Sequence, residues 1–567
     1  MGIFMKRKLK RMIGYLFLMI GLLIVGTYFL KAYLPNFKQI SIYEIIPGLE
    51  ENEVGFVLQD KPLSLEHSPI VEEEVLLPFS LVKEYIDPYI FWDPGVGKIT
   101  ITTENKVIQM ATEDLTYYIN YEPLTLELPL KLIGEVPYIP VSFLKQFFPI
   151  EVAYHEATQI VTLDHTTQAR QKGKIIKENI KLRKEGTIKS PIITTLKQGT
   201  EVIIYEKADE WYRIRTQDGV VGYISNKAIG EIIEVLPDPI EEVEKEPIQL
   251  REGKINLVWH QLFAKSDLKS ARESITGIDG LDVISPTWFS LANEEGDLDN
   301  IADLAYVKWA KSQGYQVWAL VDNKFDSKLT HAVLSNTDKR EKVIKQLLAF
   351  ISLYELDGIN IDFESVAQED GIYFLQFMRE LAPFMKEQGA ILSVDFYVPA
   401  PWTAHYYRKE VSEVVDYAMV MTYDEHWSTS PKSGSVASLG FVEKGIVDTL
   451  KEIPKEKVLM GLPYYTRIWE EQEVEGVLTV KSKAYSMQRA YDIFVENGAE
   501  IKWDSETGQY YGEYEKDGIK YRCWFEEEES IEQKVQFVHK YDLAGVAGWK
   551  KGLEKPEIWQ LLQQKLK

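Results

Sequence analysis

Apolar and polar positions follow several different rhythms along the chain. The run IGYLFLMIGLLIVGTYFL, Ile13 to Leu30, contains no charged residue. As a helix rising about 1.5 Å per residue it would be roughly 27 Å long, close to the hydrocarbon thickness of a bilayer. Lys6, Arg7, Lys8, Lys10 and Arg11 precede it, so residues 1–35 are expected to be a cytoplasmic basic segment followed by an uncleaved transmembrane signal anchor, with the bulk of the chain outside the cell. From 40 to 166, short alternating runs such as GKITITTENKVIQMA and QIVTLDH predict strands, and PVSFLKQFF predicts a helix; together they make a small α+β module. Residues 173–232 alternate between turns at Lys197-Gln198-Gly199 and Gln217-Asp218-Gly219, the pattern of a small β unit. Residues 233–251, with three prolines and repeated glutamates, read as an extended linker. From 252 to 567 eight apolar runs (KINLVWHQLF, LDVISPTWFSL, QVWALVDN, LDGINIDFE, ILSVDFYV, DYAMVMTYD, KVLMGLPYY and LAGVAGWKK) are separated by amphipathic helical stretches. Eight β/α repeats over about 300 residues predict a closed (β/α)8 barrel of the α/β class. Between Trp469 and Glu526 a helical pattern and a strand-rich piece predict an α+β insertion, about 470–525, after the seventh strand.

Composition narrows the partners. The chain of 567 residues has 64 Lys and Arg against 87 Asp and Glu, a formal net charge of -23. Such a balance argues against a nucleic-acid partner, which needs clustered basic residues. Cys523 is the single cysteine, so no intramolecular disulfide is available. His155 and His165 stand apart from other ligand types and read as surface histidines; no metal and no cofactor is expected.

The candidate chemistry lies in the fourth apolar run of the barrel. Residues two apart in a strand share a face, so Ile359, Ile361 and Phe363 are expected to face the helices while Asn360, Asp362 and Glu364 point inward. Burying carboxylates without partners costs several kcal/mol each or shifts their pKa. A fold tolerates that at a working site, and Glu364 falls at the C-terminal end of its strand, the rim where barrel enzymes carry their catalysts. Asp357, of opposite parity, is expected to stabilise the strand start. Trp288, Trp402, Trp427 and Trp469 are candidates for stacking on sugars or for ordinary core packing. The piece DSETGQYYGEYEKDG reads as a hairpin with acidic turns and does not have the spacing of a calcium loop.

Three resemblances follow. The run VPYIPVSFLKQFFPIEVAYHEATQIVTLD within 40–166 resembles the module named after the N-terminal region of copper amine oxidases, without implying copper. Residues 173–232, with Leu182-Arg183, Trp211-Tyr212 and Gly222 to Ile224, resemble bacterial SH3-type barrels, which implies possible wall-peptide binding; Trp211 and Tyr223 could equally fill a small core. The motif DGINIDFE, Asp357 to Glu364, resembles the signature Asp-Gly-x-Asp-x-Asp-x-Glu of family 18 glycoside hydrolases, supported by MTYD (Met421 to Asp424) and GWKKG (Gly548 to Gly552) at the ends of strands six and eight. This last resemblance implies cleavage of β-1,4 links beside N-acetylglucosamine, in peptidoglycan or chitin-like glycans, with the substrate's own acetamido group as internal nucleophile. It further implies Glu364 as general acid and then base, Asp362 as partner of the acetamido N–H and Tyr423 as donor to the acetamido oxygen. Asp424, Met421 and Asn360 become sugar-binding positions, and Trp549 the floor. Asn360 stands where the family usually has Asp, a departure that removes a carboxylate next to Asp362 and resembles the branch of spore-cortex N-acetylglucosaminidases. A non-catalytic glycan-binding or wall scaffold protein on the same barrel is the alternative.

Overall fold

The computed structural model describes residues 2–46, 48–50, 53–237 and 253–567. They fall into two compact units, one of residues 1–88, 112–115 and 125–244, the other of residues 89–111, 116–124 and 245–567.

The first unit begins with the helix Gly2–Tyr33. The side chains of 1–11 and 29–32 within it lie outside the described residues, so the expected span Ile13–Leu30 is covered only in part. Among the described residues no helix is long and apolar enough to cross a membrane. A four-stranded sheet follows, in which Gly55–Leu58 pairs in parallel with Ile160–His165 and antiparallel with Lys61–Leu63. A second sheet joins Val75–Pro78 to Val136–Pro140. The SH3-like region is a seven-stranded antiparallel sheet packed around Leu182, Ile204, Ile214 and Ile224. Trp211 and Tyr223 are half-buried there, and Tyr223 accepts a hydrogen bond from Arg213. His155 hydrogen-bonds Thr162 across its sheet, 3.1 Å. Residues 233–235 of the expected linker belong to the strand Ile229–Val235, and 238–251 lie outside the described residues.

The second unit is a barrel of eight parallel strands, β1 (Ile255–His260), β2 (Val283–Leu291), β3 (Gln316–Asp322), β4 (Gly358–Asp362), β5 (Ile391–Tyr397), β6 (Tyr417–Met421), β7 (Val458–Pro463) and β8 (Gly545–Trp549). Closure comes from β1 pairing with both β2 and β8. All eight correspond to the apolar runs of the sequence. Alternation sorts their side chains: Ile359, Ile361 and Phe363 join the outer layer against the helices, where Phe363 stacks on Phe377 with ring centroids 5.7 Å apart. Each such buried side chain contributes about 1.5–3 kcal/mol. The interior is filled from below by Leu257, Trp259, Trp318, Leu320, Tyr417, Met419 and Leu459. Asp357 sits at the bottom, accepting from the Val317 N–H at 2.9 Å and pairing with Lys311, the strand-start contact expected of it.

Two helices bracket β4. The helix Thr337–Tyr354 is capped by Asn336, which accepts from the Lys339 N–H, and stops at Glu355 in a left-handed conformation (φ 56°). The helix Gly371–Glu387 follows the strand. Against these two helices packs a five-stranded sheet drawn from residues 91–111 and 116–124, part of the stretch that reads in sequence as the small α+β module. Its Asp93 carboxylate accepts from both the backbone N–H and the hydroxyl of Thr337, Tyr121 stacks on Phe384, and Arg379 lies over the Tyr89 ring. The insertion after β7 is a five-stranded sheet with the helix Met487–Glu496 against it. Its hairpin Gln509–Lys516 with Ile519–Phe525 contains the acidic turn, and Cys523 is buried in its core as a free thiol.

Candidate active site

The C-terminal ends of β3 to β8 carry a polar cluster on top of the aromatic interior. Register places Asp322 beside Asp362 and Leu320 beside Asn360, while Asn360 neighbours Ser393 on β5. The inward face of β5 therefore carries Ser393, Asp395 and Tyr397. Asn360 is fully buried and satisfied: its carbonyl accepts from Trp259 Nε1 (3.0 Å) and Ser285 Oγ (3.3 Å), and its Nδ2 donates to Asp395 Oδ1 at 2.9 Å. A carboxylate from the next strand thus lies directly against the amide at 360.

Asp362 and Asp395 are both buried. Burial first, and then their mutual repulsion and that of Glu364, holds the Asp362 carboxyl well above the ordinary carboxylate range. Asp395 moves the same way, restrained by the amide of Asn360. Coupled carboxylates of this kind share protons rather than ionise independently. Asp362 Oδ1 has no hydrogen-bond partner among the described residues, an acceptor that an incoming N–H would satisfy.

Glu364 lies just beyond β4, on a chain that turns sharply at Ser365 (φ 54°). Asn323, at the end of β3, fixes its backbone from both sides, accepting from the Glu364 N–H at 3.1 Å and donating to its carbonyl at 2.7 Å. The carboxyl accepts a hydrogen bond from the Tyr397 hydroxyl at 2.5 Å. Burial raises its pKa, the tyrosine opposes that rise, and the negative charges of Asp424 and Asp322 add to it. A carboxyl raised in this way carries a proton nearer neutrality, the property a general acid needs.

Tyr423 and Asp424 follow β6. An added Cβ at Gly461 would stand 2.9 Å from Tyr423 Cε1 and 2.7 Å from the Val420 carbonyl, so only glycine there lets the phenol lie against β7. Desolvation, and then the acids Asp395, Asp362 and Glu364 together with Tyr465, push the Tyr423 hydroxyl up, keeping it a donor. Asp424, itself left-handed (φ 55°), accepts from Tyr465 at 2.5 Å and faces Arg467 at 3.6 Å. Met421 ends β6, half-exposed. Trp549 ends β8 with its ring edge-on to Trp259, centroids 5.9 Å apart, beside the group bound to Asn360. Of the four further tryptophans, Trp288 and Trp469 are buried at 2% and 0% exposure and belong to the core, whereas Trp402 and Trp427 are exposed, at 65% and 51%. Lys324, Phe325, Ser365 and Asp424, which follow the C-terminal ends of β3, β4 and β6, are all at positive φ.

Asp322, Asn323, Asp395, Tyr397, Tyr465 and Arg467 were not among the residues singled out from sequence. The signal for Asp395 and Tyr397 is the same alternation that marks β4, repeated in ILSVDFYV. Arg467 and Tyr465 open the insertion sheet, and their approach to Asp424 is a tertiary contact with no local pattern.

The family model described as glycosyl hydrolases family 18 matches residues 260–553. The copper amine oxidase N-terminal domain matches 57–163 and the bacterial SH3 domain 178–230. The chain is similar to the "Uncharacterized glycosylase YvbX" of Bacillus subtilis (strain 168), 26% identical over 292 residues, covering 48% of this chain and 81% of that protein. It is also 26% identical over 285 residues to a cortical fragment-lytic enzyme of Bacillus anthracis, covering 48% of this chain and 65% of that one. Among solved structures, the spore cortex-lytic enzyme SleL of Bacillus cereus aligns with a TM-score of 0.51 at 20% identity over 66% of this chain and 90% of its own, a likeness of fold.

Proposed function

The chain belongs to the glycosyl hydrolases of family 18, and from that premise we propose that it cleaves β-1,4 links on the reducing side of N-acetylglucosamine in peptidoglycan, with retention and with the substrate's acetamido group as nucleophile. The observation that carries this reading is Asp362, a buried carboxyl with one unpaired oxygen, set between the acid Glu364 and the donor Tyr423. Both carboxyls come from one strand edge. Two-carboxylate displacement needs the groups on opposite faces of the bond, whereas a helper and an acid on one side suit an internal nucleophile.

In this mechanism Glu364 gives its proton to the bridging oxygen as the bond from that oxygen to C1 breaks and the acetamido oxygen closes on C1. Asp362 accepts from the acetamido N–H and offsets the charge that develops on the ring so formed. Tyr423 donates to the acetamido oxygen and orients it. Water then adds to C1, giving its proton to Glu364 and reopening the ring. Asn360 acts through Trp259 and Asp395, Asp424 and Met421 border the sugar, and Trp549 supplies its floor. Peptidoglycan is favoured over chitin because the two accessory modules are of types found in wall proteins; the SH3-like region is a candidate for wall peptides. The uncharged run Ile13–Leu30 behind a basic segment supports an anchored protein acting on the outer face of the cell membrane.

Incubation with purified peptidoglycan and with chitooligosaccharides, followed by mass analysis and proton NMR of early products, tests the reading. The expected products from peptidoglycan end in reducing N-acetylglucosamine, and the first anomer seen is β. Reducing ends of N-acetylmuramic acid, or α anomers first, would contradict it.

Asn360→Asp places a carboxylate against Asp395, where the amide now donates. The added negative charge raises the proton affinity of the whole cluster, so the pH optimum of kcat/KM is expected to move upward with measurable activity retained. An inert variant would count against the assignment of Asn360 as a support rather than a reacting group.

A further inference from the structure

Glu364 is held at both ends. Its backbone is fixed by Asn323, and its carboxyl by the hydroxyl of Tyr397, 2.5 Å away. Tyr397 is itself fixed: its ring lies edge-on to Tyr406 (5.9 Å, 82°) and tilted against Trp402 (5.1 Å, 53°). Tyr406 in turn accepts from the Val366 N–H, two residues past the acid. Tyr397 thus packs on the ring whose hydroxyl bonds the turn that carries Glu364.

Resting on the reading above, we propose that Tyr397 is the positioning residue of the acid and base steps, its phenol directing the Glu364 carboxyl to the bridging oxygen and stabilising the carboxylate left after proton transfer until water is deprotonated. Tyr397 keeps its own proton throughout. The proton of Glu364 goes to the leaving oxygen together with the electron pair of the broken bond, and the proton of the attacking water restores the acid. Among the described residues, the other titratable groups that interact with Glu364 are acids or phenols: Asp322 from β3, Asp362 from β4, Asp395 from β5, Tyr423 and Asp424 just after β6, and Tyr406 from the turn 401–406. Among these only Tyr397 hydrogen-bonds the carboxyl. Burial and the neighbouring Glu364 charge push the Tyr397 hydroxyl up, consistent with a donor that does not ionise.

Tyr397→Phe keeps the ring packing and removes only the donor. With glutamate labelled at the carboxyl carbon, the NMR signal lost in Glu364→Gln identifies the acid; in Tyr397→Phe its titration is expected to lie about one pH unit higher. The alkaline limb of kcat/KM on 4-methylumbelliferyl chitotrioside should follow it. On the same probe kcat is expected to fall about 10-fold with KM within about twofold, as for loss of an interaction made in the transition state. Tyr397→Leu should show the same titration shift with a lower melting temperature, because it also loses the contacts to Trp402 and Tyr406. A titration and pH limb that do not move, with only a uniform loss of rate, would overturn the tyrosine's part. A wild-type chain inactive on this probe, on chitooligosaccharides and on peptidoglycan would overturn the functional reading itself, and with it the catalytic use of the bond.

Discussion

Glu364→Gln is expected to lower kcat/KM on peptidoglycan or chitooligosaccharides by about 10²–10⁴-fold, the usual range for a general acid. The size follows from what the substitution leaves in place. Glutamine fills the same volume, its carbonyl can still accept from Tyr397, and Asn323 grips only the backbone. Only the transferable proton is gone. KM should therefore change little, and the loss should appear in kcat. Stability should move the opposite way. The Glu364 pKa is raised in the native protein, so the folded state holds this proton more tightly than the unfolded chain. That linkage stabilises the fold fully below the unfolded value and is lost as pH rises through the native one. Removing the charge from a cluster of like charges cancels the loss, so the variant should melt at or above the wild-type temperature near neutral pH, with the gap closing in acid. Thermal scans at several pH values, beside rate measurements, check both halves; equal activity of the two proteins would remove the acid from the mechanism.

The opposed signs of those two effects belong to a place where local physical rules are broken for function. That is also why this part of the molecule could be read from sequence. The strand LDGINIDFE puts an amide and two carboxyls on a face where branched apolar residues are usual, and the outer face, Ile359, Ile361 and Phe363, packs as the alternation requires. All eight barrel strands were legible for the same reason, since parallel strands buried on both faces leave near-continuous apolar runs. What stayed hidden depends on which surfaces meet. Val107, Tyr121 and Phe91 lie on strands or turns whose alternation reveals a sheet but not its partner. The contact of Arg467 with Asp424 joins segments separated by a barrel strand. Trp288 and Trp469 are indistinguishable in sequence from Trp402 and Trp427, because a tryptophan near a strand end can turn into the core or out to solvent; burial alone separates them. At Asn360 the departure from the family signature is visible in sequence, but the carboxyl it donates to, Asp395, comes from the neighbouring strand and becomes apparent only once the register is fixed.

Arg340→Ala is expected to destabilise the second unit by about 3–5 kcal/mol, the cost of leaving one member of a buried ion pair without the other. Arg340 and Glu380 are 0% and 1% exposed and meet in a bidentate pair, Nε to Oε2 at 3.0 Å and Nη2 to Oε1 at 2.9 Å. Two further donors are used: Nη1 reaches the Leu334 carbonyl and Nη2 also reaches Thr337 Oγ1, while the guanidinium lies 4.8 Å from the centre of the Phe91 ring. Gln376 donates to the same carboxylate. Because Arg340 lies on the helix entering β4 and Glu380 on the helix leaving it, the pair ties together the two supports of the strand that carries Asp362 and Glu364. Phe91 and the Asp93–Thr337 bonds extend that tie to the sheet of residues 91–111 and 116–124. A surface pair would not give such an effect, since exposed pairs contribute about 0–1 kcal/mol. The double replacement Arg340→Met with Glu380→Leu should recover much of the loss, because it removes both charges and refills the volume. Chemical denaturation of wild type, Arg340→Ala and the double variant decides the matter: if Arg340→Ala melts with wild type, the buried pair is not what fastens the helices around β4.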